Sequence, residues 1–306
     1  MLFLGSCFTE NIGCFFRDSK FDVDINPFGI QYNPDSITQS LARIISGKPY
    51  EESDLFYFQE RWHSFDHHSS FSNINKEACL DSINARLAKA NATISKLTHL
   101  FVTFGTNYCF RSIKTGEIVN NCHKVDAKEF KRIELSINEM FDMITPAFSR
   151  VKSLNENLQI VLTVSPIRYV QQGFVENTFS KAKLFSTIDL LQREAANLYY
   201  FPAYEIVIDD LRDYRFYKED MIHPNDDALR YVWLRLKNAM LENTCFKIIE
   251  EVDSIDKDLR HRPNLPFGDA YQLFLRAVQS KILKLNNRFP LLDFEIEKAF
   301  IQEKLC

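Results

Sequence analysis

Apolar and polar positions repeat along this chain with two different periods, which predict strands and helices in turn. Short apolar runs predict buried strands at 1–4, 21–25, 99–104, 159–164 and 204–208. Longer stretches with apolar residues at helical spacing predict helices at 10–16, 33–46, 76–95, 127–150, 180–196 and 226–241. Strands that alternate with helices are typical of a mostly parallel sheet covered on both faces. The pattern therefore predicts a three-layer α/β/α sandwich.

Two segments depart from this alternation. From residue 245 onward the pattern is helical only, so we interpret 1–244 as an α/β domain and 245–306 as a helical C-terminal extension that packs on it. Residues 50–75 are irregular and rich in aromatic side chains and histidine. A loop of this length is more often functional than a plain connection, so we predict an insertion over a pocket.

Composition narrows the class of protein. The 306 residues are 45% hydrophobic and 25% charged, which is ordinary for a globular protein with one large core. A net charge of −4 without a basic block argues against a nucleic-acid-binding protein. No apolar run reaches the length of a membrane span. The seven cysteines lack paired spacing, which favours a reducing compartment, and hence the cytoplasm, over a disulfide scaffold.

The first residues resemble a lipoprotein signal only superficially. Leu4-Gly5-Ser6-Cys7 fits the cleavage box of such a signal, but the basic and the long apolar segments that should precede the box are missing. We interpret the start as the first core strand. A native segment upstream of it, with any targeting signal, can be missing from this sequence.

Residues with the chemistry for catalysis follow the predicted strands directly. Because the carboxyl ends of parallel strands meet at one edge of a sheet, we expect these residues to lie close together. A nucleophile, an amide donor and an Asp–His pair are the components of acyl transfer. The residues are Ser6 and Cys7 after the first strand, Gly29 after the second, Asn107 after the third, Arg168 after the fourth, and Asp220 with His223 after the fifth.

The order of these motifs resembles the SGNH (GDSL-type) hydrolase superfamily over residues 2–225. Gly5-Ser6-Cys7-Phe8-Thr9-Glu10 stands where that superfamily has Gly-Asp-Ser followed by Thr-Glu. Gly105-Thr106-Asn107-Tyr108 matches its Gly-Xaa-Asn-Asp motif except at the last position, and Asp220 and His223 match its Asp-Xaa-Xaa-His motif. The sequences of residues 5–8, 26–29 and 121–124 are similar to those of the GSCFA branch of this superfamily, which has no settled substrate.

The resemblance implies an esterase, thioesterase or acyltransferase that forms a covalent acyl-enzyme on a small acyl substrate and uses no cofactor. Its register puts Cys7 at the nucleophile position, with His223 as general base and Asp220 orienting the imidazole. It also implies that Gly29 and Asn107 donate hydrogen bonds to the oxyanion. Hydrolysis and transfer share such a site, and the sequence does not separate them. The oligomeric state is equally open.

Alternatives remain open at each of these residues. A shift of one residue in the register makes Ser6 the nucleophile. The helix start and His223 are both expected to lower the pKa of a thiol, which favours Cys7. Cys7 can also be a small core residue, and the segment from Asp220 to His223 can be a surface turn. The chain is then a non-catalytic binding protein on a retained hydrolase fold.

Four further residues are weaker candidates for the substrate pocket: Trp62, His63, His123 and Arg168. Arg168 is placed to pair with an anionic group of a substrate or to form a structural ion pair. The histidines of 63–68 and His123 suggest a zinc site on paper. Their spacing matches no structural zinc pattern, so we expect no metal.

Overall fold

A computed structural model describes residues 1–170, 173–195, 197–263 and 268–305. The chain divides into two compact units. One unit comprises Met1–Cys14 and Val23–Leu234, and the other comprises Phe15–Asp22 and Arg235–Cys306. Among the described residues, no helix combines the length and the apolar character needed to cross a membrane.

The strands are β1 (Leu2–Gly5), β2 (Asp24–Ile25), β3 (Phe56–Phe58), β4 (Arg61–His63), β5 (His99–Phe104), β6 (Tyr108–Ser112), β7 (Ile118–Val119), β8 (Phe130–Glu134), β9 (Gln159–Val164) and β10 (Leu198–Tyr200). The helices are α1 (Cys7–Asp18), α2 (Pro34–Ser46), α3 (Lys76–Ile94), α4 (Ile137–Leu154), α5 (Phe174–Glu194), α6 (Ala203–Glu205), α7 (Asp226–Met240), α8 (Asn243–Leu259), α9 (Asp269–Arg288) and α10 (Glu295–Lys304).

The first unit is built on a five-stranded sheet in the order β10-β9-β5-β1-β2, and every pair in it is parallel. The buried, apolar strands β1, β5 and β9 form its centre, and apolar faces of α2, α3, α4 and α5 pack against them. The predicted α/β/α sandwich with a mostly parallel sheet is confirmed. A helical C-terminal part follows it in the chain, as predicted.

The strand predicted at 204–208 is wrong. The edge strand is β10, and the chain from Ala203 to Asp210 is helical instead. Pro202 stands between the two, and a proline has no N–H group to donate to a sheet ladder. The β-type composition of the segment reflects burial, because Ile206 and Val207 are both buried in the helical conformation.

The helix predicted over 127–150 begins ten residues later, at Ile137. Residues 130–134 form β8, which pairs antiparallel with β6 in a small three-stranded sheet that also contains β7. The start of α4 is set by Ser136 and Glu139, whose side chains each accept a hydrogen bond from the other's backbone N–H. This capping box leaves the preceding segment free to pair as a strand.

The second unit has an apolar core of its own. Buried side chains of α8, α9 and α10 meet there, among them Ile255, Ile282 and Ile301. Lys20 forms an ion pair with Glu297 in this unit. The helical pattern of the C-terminal segment therefore reflects a packed core.

Gly5 ends β1 in a conformation and a space that exclude a side chain. Its φ is +146°, and a Cβ atom there would lie 2.5 Å from the carbonyl oxygen of Thr103 and 2.6 Å from Oγ1 of Thr9. The neighbouring strand β5 thus lies directly against the backbone of the turn that follows β1.

We expect Gly5→Ala to lower the free energy of unfolding by about 3 kcal/mol, because backbone strain adds to a clash with a backbone atom. Gly116→Ala is the control, since Gly116 also has a positive φ (+76°) but open space around it. That change should cost about 1 kcal/mol. Urea unfolding of both variants measures the difference, and equal losses would show that the close approach of β5 costs nothing.

Candidate functional site

The turn between β1 and α1 presents two different nucleophilic side chains. Ser6 is only 1% exposed, and its hydroxyl group donates to Oγ of Ser165 at 3.3 Å. Cys7 is the first residue of α1 and is half-buried. Ser165 directly follows β9, so the turn after one strand contacts the turn after another. The thiol is the more accessible of the two groups.

Two opposing effects set the pKa of the Cys7 thiol. Burial raises it, and this effect is the largest. The backbone N–H groups of Cys7 and Phe8, at the start of α1, lower it, and so does the charge of Lys218, whereas Glu10 raises it. The net pKa is raised. This is opposite to the direction that the helix start and His223 predict from the sequence.

Asp220 and His223 form a hydrogen-bonded pair within one loop. Nδ1 of His223 lies 2.6 Å from Oδ2 of Asp220, and the backbone N–H groups of Ile222 and His223 both donate to Oδ1 at 2.9 Å. These two backbone bonds and then the His223 side chain lower the pKa of Asp220 to about 2. The carboxylate therefore stays ionised at neutral pH, and its stabilisation of the loop is lost only as the pH falls through about 2.

Residues at the start of the Asp–His loop lie near residues that follow β1 and β9. Tyr217 and Pro224 form an antiparallel bridge across it, and the N–H of Lys218 donates to the carbonyl of His223 at 2.8 Å. Lys218 is close enough to Cys7 to lower the pKa of the thiol. The guanidinium of Arg168 lies 5.9 Å from the Tyr217 ring centroid. No hydrogen bond joins the Cys7 and His223 side chains in the described part of the chain.

The two residues predicted as oxyanion donors are both engaged elsewhere. The N–H of Gly29 donates to the carbonyl of Asn26 at 2.8 Å. Asn107 is fully buried, and its side-chain amide donates to the carbonyl of Leu135 at 2.7 Å. The backbone N–H of Asn107 donates to Oγ of Ser180. In this conformation Asn107 joins the end of β5 to the segment before α4.

Trp62, His63 and His123 lie in an aromatic cluster formed by the 56–72 segment. The rings of His63 and His123 are 4.6 Å apart, and Nε2 of His123 bonds to the carbonyl of Ser64 at 2.8 Å. Burial lowers the pKa of His123 to about 4, so this imidazole is neutral. The ammonium group of Lys76 lies over the Trp62 ring. Within the described residues, none of the three hydrogen-bonds to the thiol or to the Asp–His loop.

The predicted insertion at 50–75 contributes to a polar cleft of about 690 Å³ together with α2 and residues 111–120. Tyr50 donates its hydroxyl proton to Asp66 at 2.9 Å, and the guanidinium of Arg43 lies 3.9 Å from the Tyr50 ring centroid. The residues that line this cleft do not include the thiol or the Asp–His loop. Among the residues that the structure describes, no three His, Cys, Asp or Glu side chains are arranged to hold a metal ion.

Sequence reasoning missed three residues near the sheet edge. Tyr32 lies near the thiol, since burial and then the charge of Cys7 raise its pKa to about 12. Lys218 acts on Cys7 as described above. Lys181 is 2% exposed, although its type is usually found at the surface. Its burial could have been predicted, because Lys181 precedes the buried Leu184 by three residues and both therefore lie on one face of α5.

Comparison with known proteins agrees with this picture at the level of the family. A family model described as "GSCFA family" matches residues 1–236, and one described as "GSCFA domain protein, C-terminal domain" matches residues 252–306. No curated protein and no solved structure matches the chain. Since the first match spans more than half of its length, the chain belongs to the GSCFA family.

Proposed function

We propose that this protein is an acyl hydrolase or acyltransferase of the SGNH type, acting on esters or thioesters through a covalent acyl group on Cys7. One observation carries the proposal. A partly exposed thiol stands at the first residue of a helix, and Lys218, whose charge lowers the pKa of that thiol, belongs to the loop in which a carboxylate holds an imidazole by its Nδ1 atom. These are the residue types that acyl transfer uses as nucleophile, base and orienting group.

The proposed reaction begins with a neutral thiol, because burial raises the pKa of Cys7. As the sulfur attacks the acyl carbon, Nε2 of His223 accepts the thiol proton, and the new S–C bond makes the carbonyl oxygen an oxyanion. When the intermediate collapses, the leaving alcohol or thiol takes that proton from His223. Water or another acceptor then releases the acyl group by the same steps in reverse.

His223 must approach the sulfur for this transfer. The two side chains share no direct hydrogen bond in the described residues, so the ring has to rotate or act through one water molecule. Asp220 keeps the proton of the ring on Nδ1, which leaves Nε2 free to act as the base. The Tyr217–Pro224 bridge holds the backbone of the loop that carries this pair.

The oxyanion needs donors at the same edge. The N–H groups of Cys7 and Phe8 lower the pKa of the Cys7 thiol, and N–H groups in the first turn of a helix have no helical partner. We propose them as the first donors. Gly29 and Asn107 can join them only if their present bonds to Asn26 and Leu135 are exchanged.

Arg168 is the residue proposed to recognise an anionic part of the substrate. Its guanidinium lies near Tyr217, on the side of the Asp–His loop. Within the described residues it has no carboxylate at ion-pair distance. A structural ion pair, the other interpretation of Arg168, is thus not found among these residues. Lys218 contributes a positive charge near the thiol.

We expect short exposure to acyl-nitrophenyl esters or acyl-CoA thioesters to add one acyl mass to the wild-type protein. Cys7→Ala should abolish this adduct, because the nucleophile is gone. Ser6→Ala should slow its formation only about five-fold, the effect of one neutral hydrogen bond. Intact-mass spectrometry measures all three.

Cys14→Ala is the matched control, since Cys14 is a partly exposed cysteine on the same helix, and it should acylate like the wild type. The reverse result, with Ser6→Ala inactive and Cys7→Ala acylated, would make Ser6 the nucleophile. A wild-type protein that forms no adduct with any of these donors would instead favour a non-catalytic binding protein.

Asp220→Asn should lower kcat/KM on an accepted acyl donor by on the order of 10³-fold or more. An amide at this position presents an N–H group to Nδ1, and the imidazole then holds its proton on the wrong nitrogen. Asp213→Asn is the control, because Asp213 accepts a backbone N–H in the same loop without contacting His223. Steady-state kinetics measure kcat/KM of both variants. A wild-type kcat/KM for Asp220→Asn would exclude the Asp–His pair from the reaction.

A further inference from the structure

Lys181 on α5 is buried and directed at the ends of two central strands. Its ammonium group donates to the carbonyl oxygen of Gly105, just after β5, and to that of Ser165, just after β9, both at 2.7 Å. The ring centroid of Tyr204 lies 5.9 Å away. No carboxylate lies at ion-pair distance in the part of the chain that the structure describes, and burial lowers the pKa of Lys181 to about 7.

The residues around Lys181 on the same face of α5 make related contacts. Oδ1 of Asn177 accepts from the N–H of Tyr169, and Oγ of Ser180 accepts from the N–H of Asn107. Asn177, Ser180 and Lys181 are all buried. The first turns of α5 therefore hold the segments that follow β5 and β9 through hydrogen bonds.

The two residues whose carbonyl groups accept from Lys181 are each hydrogen-bonded to a residue near the thiol. The side chain of Ser165 accepts from Ser6, the residue before Cys7. The N–H of Gly105 donates to the carbonyl of Tyr32, whose ring lies near Cys7. Lys181 is thus connected to Ser6 through Ser165 and to Tyr32 through Gly105, in each case by two successive hydrogen bonds.

A lysine amino group without a carboxylate is costly to bury in either protonation state, and an apolar side chain of similar length would avoid that cost. We propose that Lys181 is a positioning residue, which joins the carboxyl ends of β5 and β9 and thereby holds the turn that presents Cys7. This inference rests on the proposed function only in taking Cys7 as the reactive residue. Removing the ammonium would leave both carbonyl groups without this donor and loosen the turn.

The test is Lys181→Met, which keeps the length of the side chain and removes its donors. A looser turn exposes the thiol, so the raised pKa of Cys7 should fall towards its ordinary value. Alkylation of Cys7 by iodoacetamide should then become faster below the pKa, about ten-fold for each unit of the fall. Acyl-enzyme formation, which needs the sulfur held in place, should become slower in the same variant.

The alkylation rate is followed from about pH 6 to 10 by mass spectrometry of the Cys7 peptide, beside thermal unfolding of each variant. Lys183→Met is the matched control, because Lys183 lies on the same helix as Lys181 but forms an exposed ion pair with Glu134 of β8. A folded Lys181→Met protein with the alkylation profile of Lys183→Met would overturn the proposal.

If Lys181→Met does not fold, Ser165→Ala is the second test, since it keeps the lysine and removes the side-chain oxygen that accepts from Ser6 and, at 3.4 Å, from the N–H of Ile167. It should accelerate alkylation in the same direction, about three-fold or more, a shift of roughly half a pKa unit. An unchanged profile would overturn the proposal. Absence of acylation in the wild-type protein would refute the proposed function alone, since the alkylation profile still reports on Lys181.

Discussion

The parallel pairing of β1 between β2 and β5 is the constraint on which the rest of the structure depends. Parallel strands end at the same edge, so the turn after β1 lies next to the turns after β5 and β9. The pairing is close enough that Gly5 lies directly against the carbonyl of Thr103. Its N–H donates to the side chain of Asn26, which follows β2. One short turn is thus in contact with both neighbouring strands, and that turn carries Cys7.

Burial gives the thiol its particular chemistry. A thiol at a helix start is often ionised, but here desolvation outweighs the amide donors and the pKa is raised. A neutral thiol needs a base at the moment of attack, and under the proposed function the hydrogen-bonded Asp220–His223 pair is that base. The site is proposed to resemble a serine hydrolase in this respect more than a thiolate–imidazolium enzyme. Low resting reactivity would also protect the residue from adventitious alkylation and oxidation.

The strands and helices that follow from hydrophobic periodicity could be predicted from the sequence. The strands at 99–104 and 159–164 were predicted with their observed bounds, because their short apolar runs fit strands that are buried on both faces of a parallel sheet. The strand at 130–134 was not, because the capping box that starts α4 lies after it and its charged positions also fit a helix. In the site, the strand pattern correctly placed Ser6 after β1 and Asn107 after β5. The hydrogen bond from the Asn107 side chain to the carbonyl of Leu135 could not be predicted, because a single hydrogen bond produces no periodic pattern in the sequence.

The central claim is that Cys7 carries the acyl group, and the chemistry of the adduct tests it most directly. Thioesters are cleaved by hydroxylamine at neutral pH far faster than oxygen esters. After brief exposure to an acyl donor, the protein is digested in acid and the acylated peptide is identified by mass spectrometry, with and without hydroxylamine. The account predicts one adduct on the peptide containing Cys7 that hydroxylamine removes at neutral pH. A hydroxylamine-resistant adduct on Ser6, or an adduct at a site outside this turn, would contradict it.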